Sequence, residues 1–381
     1  MKFRENESAI KHSLPTAFRQ AVSKLETQRH RLGVKRPPPA GRLKCGLLGT
    51  GRFFNYAYVP ALNKKNSPLA VTRILTRDEA RFLAVQKNLR HQAKPVWDTE
   101  VLLASGIDAA LILLPNQLHF KTARKALEHG LHVFCEKPLT NTVAEAQTLK
   151  TVAQKSGRVL MTSFNQRFSD RNRVLKQLIV NERVGKITSV RAFHNQNLTG
   201  LQSFAALHKN VTGGGVVHNA GIHFLNLFLH WFGDVEKVRG VFENRALPPD
   251  CGEDTAHCEL WFRSGVKATL DASLANAVDT TYERVELSGE RGVIASDLKK
   301  CDIVSRLTGK PSLKIPCRTE IISDSVFNAL EHFADCVART ARPETDIDDF
   351  IRTMKTVAAL TLSAQRGEEV SWAEIESQHA H

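Results

Sequence analysis

At 381 residues with 42% hydrophobic side chains, the chain is long enough for two hydrophobic cores and too apolar for disorder along its whole length. No apolar run approaches the roughly 18 to 20 residues that a membrane helix needs, since Leu111–Leu114 and Phe224–Phe232 are short or interrupted. The formal charge of +14 would suit nucleic acid, but residues 1–42, with ten Lys/Arg against three Glu, hold half of it, and the remainder is an ordinary mildly basic surface, compatible also with phosphorylated or nucleotide-linked substrates.

Residues 16–32 are predicted to form an amphipathic helix, with Phe18, Val22, Leu25 and Leu32 near helical spacing, Thr16 as N-cap and Gly33 as stop. Arg36–Ala40, with three prolines, reads as a linker, so residues 1–42 make a basic helical arm. From Leu43 strands and helices alternate: strand Lys44–Leu48, a turn at Gly49–Gly51, helix Tyr56–Asn63, strand Val71–Leu75 and helix Arg77–Asn88. Strand Ala109–Leu113, helix His119–His129, strand His132–Phe134, helix Thr142–Ser156 and strand Val159–Thr162 follow. Such alternation predicts a doubly wound parallel sheet over residues 43–163. Beyond Phe164 a helix at 170–182 precedes strand-like runs at Ile187–Asn195, Val235–Glu243, His257–Phe262, Lys267–Ala272, Tyr282–Ser288 and Gly292–Ser296, interrupted by one helix over His218–Trp231. Strands without intervening helices predict a large, mostly antiparallel sheet in an α+β domain over 164–381, which ends in helices Ser325–Thr340 and Asp348–Gly367.

Gly49-Thr50-Gly51-Arg52-Phe53-Phe54 follows a strand and opens a helix, the setting in which backbone N–H groups meet a dinucleotide pyrophosphate, although Phe54 replaces the third glycine. The first domain is therefore expected to be a dinucleotide-binding Rossmann unit. The acid that bonds the adenosine ribose in NAD enzymes normally ends the second strand. Here Thr76 stands in its place and Arg77 offers a guanidinium suited to a 2′-phosphate, so NADP is preferred, with a shifted Asp78 as the alternative acid for NAD. Leu113-Leu114-Pro115-Asn116-Gln117-Leu118-His119 leaves the next central strand where ligand-binding loops leave such a sheet. Cys135-Glu136-Lys137-Pro138, a βαβ length after the glycine turn, sets a lysine beside the dinucleotide. Seven cysteines without CxxC spacing fit reduced thiols, and no HExxH is present, so no metal site is expected. The N-terminus lacks an apolar signal core and carries Glu5, Glu7 and Glu26, which makes a cytoplasmic protein the expectation.

With these motifs the chain resembles the glucose-fructose oxidoreductase and inositol dehydrogenase (Gfo/Idh/MocA) family from about Leu43 to Trp372. Phe164-Asn165-Gln166-Arg167-Phe168 is similar to the segment opening the family's second domain, and Gly213-Gly214-Gly215 through Asn219 to His223 is similar to its catalytic helix. On an α-helix Asn219 and His223 share a face and His218 lies off it. The family commonly has Asp where this chain has Asn219, and often a second acid where it has Asn226; Asn cannot exchange a proton.

The resemblance implies an NAD(P)-dependent oxidoreductase moving a hydride between nicotinamide and a sugar, sugar-derivative or cyclitol carbinol. His223 would exchange the carbinol proton, Lys137 would bond the same oxygen, and Asn219 would fix a neighbouring hydroxyl. Arg167 and Asn116 would border the nicotinamide and Glu136 would orient the cofactor end; Leu114, Pro115 and His119 complete the cofactor set with the glycine turn, Thr76 and Arg77. A homodimer or homotetramer assembled through the open sheet is the implied assembly, with neither membrane nor nucleic acid as partner. Two alternatives stay open: a redox glycosidase with tightly held NAD, and a non-catalytic cofactor-binding regulator or anion-binding protein, suggested by the basic arm and the missing acids.

Overall fold

Six parallel strands build the first sheet: β1 (Leu43–Leu48), β2 (Leu69–Leu75), β3 (Lys94–Val96), β4 (Ala109–Ile112), β5 (His132–Glu136) and β6 (Leu160–Ser163), in the order β3-β2-β1-β4-β5-β6. The structure is a computed structural model and describes residues 41–197, 214–248, 250–275, 281–297, 302–316 and 321–378; the predicted helix at 16–32 and the linker lie outside them. A π-helical turn (Phe54–Tyr58) runs into α1 (Val59–Leu62), and α2 (Glu79–Gln86), α3 (Thr99–Leu103), α4 (His119–Glu128) and α5 (Val143–Ser156) make the other crossovers. Local chemistry sets their ends. Asp78 and Asp98 cap α2 and α3, while Thr142 and Glu145 form a reciprocal capping box on α5, which stops at the left-handed Gly157. All four residues of β4 are buried because helices cover both faces.

The second sheet has nine strands: β7 (Ile187–Asn195), β8 (Val235–Glu243), β9 (Thr255–Phe262), β10 (Lys267–Ser273), β11 (Tyr282–Gly289), β12 (Gly292–Asp297), β13 (Asp302–Leu307), β14 (Leu313–Pro316) and β15 (Val370–Ser371). Their order is β14-β13-β12-β11-β7-β10-β9-β8-β15, antiparallel except for the parallel pair β7 and β10. Alternation is clean: Ala256, Cys258, Leu260 and Phe262 of β9 are buried, while the residues between them are not. Helix α6 (Asp170–Val180) leads into this sheet, α7 (Ile222–Phe232) follows a second π-helical turn (Val217–Gly221), and α8 (Ile322–Arg339), α9 (Ile347–Arg366) and α10 (Trp372–Gln378) close the chain. Helix α7 is apolar nearly all round, as a helix held between β-sheet and α9 must be.

The expected α/β fold is present, with additions. Strand β3 contains Pro95 and survives as an edge strand, where no ladder bond needs a proline N–H. Helix α8 departs from its expected place in the second domain. Its Val326, Phe327, Leu330 and Phe333 enter the core formed by Phe54, Tyr58, Phe134 and Met161 on one face of the first sheet. Phe333 meets Phe134 edge-on at 5.5 Å between ring centroids. The division at 163/164 therefore separates two sheets but not two independent cores, and Leu43 onward forms one compact unit. No described helix is long and apolar enough to cross a membrane. Phe333→Ala should destabilise the protein by about 3–5 kcal/mol, measured by urea unfolding, and both sheets should unfold in one transition because one buried core takes in Leu48 and Ile112 of the first and Ala192 and Leu260 of the second.

Candidate functional site

Strands β1 and β4 are neighbours whose crossovers leave in opposite directions, which opens a crevice at their carboxyl ends. The glycine turn lies there. Gly49 has φ +107°, and a β-carbon on it would collide with the Leu113 carbonyl at the end of β4, so only glycine fits. Gly51 differs: apart from its own chain neighbours, no protein atom lies within 4 Å of where its β-carbon would be. Phe54, in place of the third glycine, is buried in the core, and the wide π-helical turn that it opens accommodates a ring where an ordinary fingerprint helix presses against its strand. Arg52 and Phe53 are exposed beside the turn.

At the end of β2, Thr76 is buried and its hydroxyl donates to the Asp78 carbonyl at 2.9 Å. The Asp78 carboxylate accepts the Arg81 backbone N–H at 2.7 Å as the cap of α2. Arg77 is exposed, and Arg81, which the sequence argument did not single out, reaches across so that its Nε lies 3.4 Å from Thr50 Oγ1. Two guanidiniums thus stand at this edge of the crevice.

Beyond β5 the backbone delivers Glu136 and Lys137. The Glu136 carboxylate is buried: Tyr58 Oη donates to its Oε1 at 2.5 Å and the Lys137 N–H to its Oε2 at 3.1 Å, while Tyr58 Oη also lies 3.0 Å from Ser163 Oγ. Burial pushes the Glu136 carboxyl above the usual range, and the Tyr58 bond and the Lys137 charge oppose it. These contacts tie the glycine-turn helix to the lysine. Lys137 Nζ donates to the Asn219 carbonyl at 2.6 Å, so Asn219 meets the lysine through its backbone and not through its amide. Burial lowers the Lys137 amine below its usual range, against the pull of Glu136.

Asn219 belongs to the π-helical turn, and this changes the expected faces. A π-turn closes i→i+5 hydrogen bonds in place of i→i+4, so α-helical spacing does not by itself set which of His218, Asn219 and His223 share a face. Both imidazoles are half-buried, and His218 Nε2 and His223 Nδ1 are buried without a hydrogen-bond partner. Burial holds His218 down to about 4, with the Lys137 charge adding to it. Burial, then Lys137 and His194, hold His223 well below its usual value. Both rings are neutral at pH 7, and the Lys137 charge reaches His218 as well as His223.

Two residues of the expected cofactor set have other partners. His119 is fully buried, with Nδ1 2.8 Å from the Pro138 carbonyl and Nε2 2.6 Å from that of Leu114; it braces the loops after β4 and β5 instead of facing the crevice. Arg167 is buried with its guanidinium on Asp349 at 3.2 Å, Asn226 Oδ1 at 3.2 Å and the Glu344 carbonyl at 3.1 Å, away from the role beside the nicotinamide that the resemblance implied. Asn226 completes that network through Asp349 and Thr353. Leu114, Pro115 and Asn116 do lie on the loop that faces the glycine turn, where the Leu113 carbonyl abuts Gly49. Among the described residues no cluster of His, Cys, Asp or Glu could hold a metal ion, and Cys45, Cys135, Cys258 and Cys336 are free and buried.

Residues 43–164 match the model of an oxidoreductase family with an NAD-binding Rossmann fold, and residues 172–295 match the GFO/IDH/MocA C-terminal domain. The chain is 29% identical over 329 residues to D-xylose 1-dehydrogenase (NADP(+)) 2 of Haloferax volcanii, covering 85% of this chain and 98% of that protein. It is 26% identical over 328 residues to scyllo-inositol 2-dehydrogenase (NAD(+)) of Bacillus subtilis, covering 84% and 93%. In fold it is similar to levoglucosan dehydrogenase in complex with NADH and levoglucosan, at a TM-score of 0.79 and 18% identity, covering 87% of this chain and 99% of that one. With both family domains matched in order along the chain, it belongs to the Gfo/Idh/MocA family of oxidoreductases.

Proposed function

We propose that this protein is an NADP-dependent oxidoreductase acting on the carbinol or ketone of a sugar, sugar derivative or cyclitol. The observation that carries the reading is the Lys137 ammonium, 2.6 Å from the backbone carbonyl at the head of the helix that bears a neutral His223. The turn fits a dinucleotide: a β-carbon on Gly51 would fill the open cradle in front of the backbone N–H groups, where pyrophosphate approaches. Arg77 and Arg81 at the end of β2, with Asp78 committed to capping α2, support NADP over NAD. The relatives that act by name on D-xylose and scyllo-inositol, matched over nearly their whole length, support the substrate class.

When bound, the nicotinamide supplies the hydride chemistry. The protein handles the proton and the charge. In the oxidative direction neutral His223 accepts the carbinol proton, while Lys137 donates a hydrogen bond to the same oxygen as negative charge develops there. Asn219, which cannot titrate, shapes the site and holds Lys137 with its carbonyl. Glu136 and Tyr58 position Lys137 from below.

Lys137→Ala and His223→Ala should each lower kcat by about 10²–10⁴-fold while fluorescence titration shows NADPH still bound; near-wild-type turnover in either variant overturns the assignment. Because burial and neighbouring charge depress the His223 pKa, its basic form persists below pH 6.5, so the acid limb of kcat/KM for oxidation should fall below that pH. An acid limb above pH 7 places the base elsewhere. Arg77→Ala combined with Arg81→Ala should cut NADPH affinity at least tenfold and leave NADH affinity within about twofold, read by the same titration.

A further inference from the structure

Three buried ionisable side chains lie near His223 and take no part in the chemistry above. Arg171 in the first turn of α6, His194 on β7 and Glu283 on β11 are 5%, 5% and 6% exposed. Strands β7 and β11 are adjacent, and Glu283 is the register partner of His194. Glu283 Oε1 lies 3.2 Å from His194 Nδ1, and its Oε2 accepts from Arg171 Nη2 at 3.3 Å. Burial pushes the Glu283 carboxyl up, but the bonds and charges of His194 and Arg171 outweigh it and hold the carboxyl below its usual range. The row borders the reaction site, for the His194 ring packs edge-on against Phe224, the residue after His223, at 6.0 Å between centroids.

Glu283 satisfies only part of this row. Arg171 Nε and Nη1 and His194 Nε2 are buried without a hydrogen-bond partner. A buried guanidinium with two unmade bonds is costly, and such groups in native proteins nearly always serve a partner. The donor set indicates what partner. One carboxylate stands between the two side chains, and the unbonded guanidinium nitrogens, Arg171 Nε and Nη1, can present only N–H donors. A neutral hydroxyl answers one of these donors. An oxyanion brings two or three acceptor oxygens.

We propose that Arg171 and His194 form a subsite for an oxyanion carried by the substrate, a carboxylate or a phosphate, with Glu283 holding both donors in place. The inference rests on the oxidoreductase reading for what the rest of the ligand is, and it makes an acidic sugar derivative the preferred substrate over a neutral sugar. Arg171 was not singled out by sequence motifs because its partner Glu283 lies 112 positions away.

The test is calorimetric titration of the full-length protein, loaded with NADP+, with D-glucose, D-glucuronate and D-glucose 6-phosphate, which share a ring and differ at one substituent. At least one acidic probe should bind tenfold or more tightly than D-glucose: glucuronate if the subsite takes a carboxylate, the 6-phosphate if it takes a phosphate. Arg171→Gln should reduce that advantage to within twofold, and Arg171→Lys should keep part of it. Should Arg171→Gln fail to fold, the pair Arg171→Gln with Glu283→Gln keeps a neutral hydrogen bond and carries the same expectation, with NADPH titration reporting the folded state. Equal binding of all three probes, or an advantage that survives loss of the guanidinium, overturns the proposal. Turnover of the same probes is followed by nucleotide absorbance. Equal turnover of D-glucose and the acids counts against the subsite alone, whereas Arg171-dependent oxyanion binding without turnover of any probe upholds the subsite and counts against the oxidoreductase reading.

Discussion

The contact between Lys137 Nζ and the Asn219 carbonyl joins the end of a strand in the first sheet to the head of the helix that lies on the second. Everything around the candidate site follows from placing one half-buried positive charge there. Burial first, and this charge in addition, disfavours a second charge on His218 and on His223, so both imidazoles stay neutral and able to accept a proton. Burial alone would also weaken the charge on Lys137. The adjacent Glu136 carboxylate counters this, and it remains supported in a buried position because Tyr58 and the Lys137 backbone bond its two oxygens.

Two π-helical turns frame this arrangement, one after the glycine turn and one before α7. Each widens the helix where an unusual residue has to be seated. The first admits Phe54 and brings Tyr58 under Glu136; the second turns the Asn219 carbonyl to Lys137. Such single wide turns are frequent at functional sites because they redirect side chains without ending the helix. Opposite the reactive side, α8 packs its aromatic face on the first sheet, so the strand that carries Lys137 is held from behind by a helix nearly 200 residues later.

Much of this was legible in the residue pattern. The alternation from Leu43 to Ser163 predicts the parallel sheet because a strand buried on both faces must be apolar throughout, as β4 is. The glycine turn, Lys137 and His223 stood out because each chemistry requires a particular residue type at a particular place. Short edge strands were not legible: Lys94-Pro95-Val96 carries no period, and its pairing is decided by β2. The inward commitment of His119 and Arg167 was likewise hidden, since polar motif residues look alike whether they face a ligand or a carbonyl.

By itself the sequence determined the two sheets, the dinucleotide turn and the residue types able to handle a proton, because these depend on local periodicity and on side-chain chemistry. Tertiary structure decided which of those residues meet. The α-helical rule of four set Asn219 and His223 on one face, but the π-turn formed against the Gly215 segment and the strands beneath it, and so recruited the Asn219 backbone. The Arg171, His194 and Glu283 row likewise exists only because β7 and β11 pair across nearly ninety residues, a contact that packing creates and no local pattern announces.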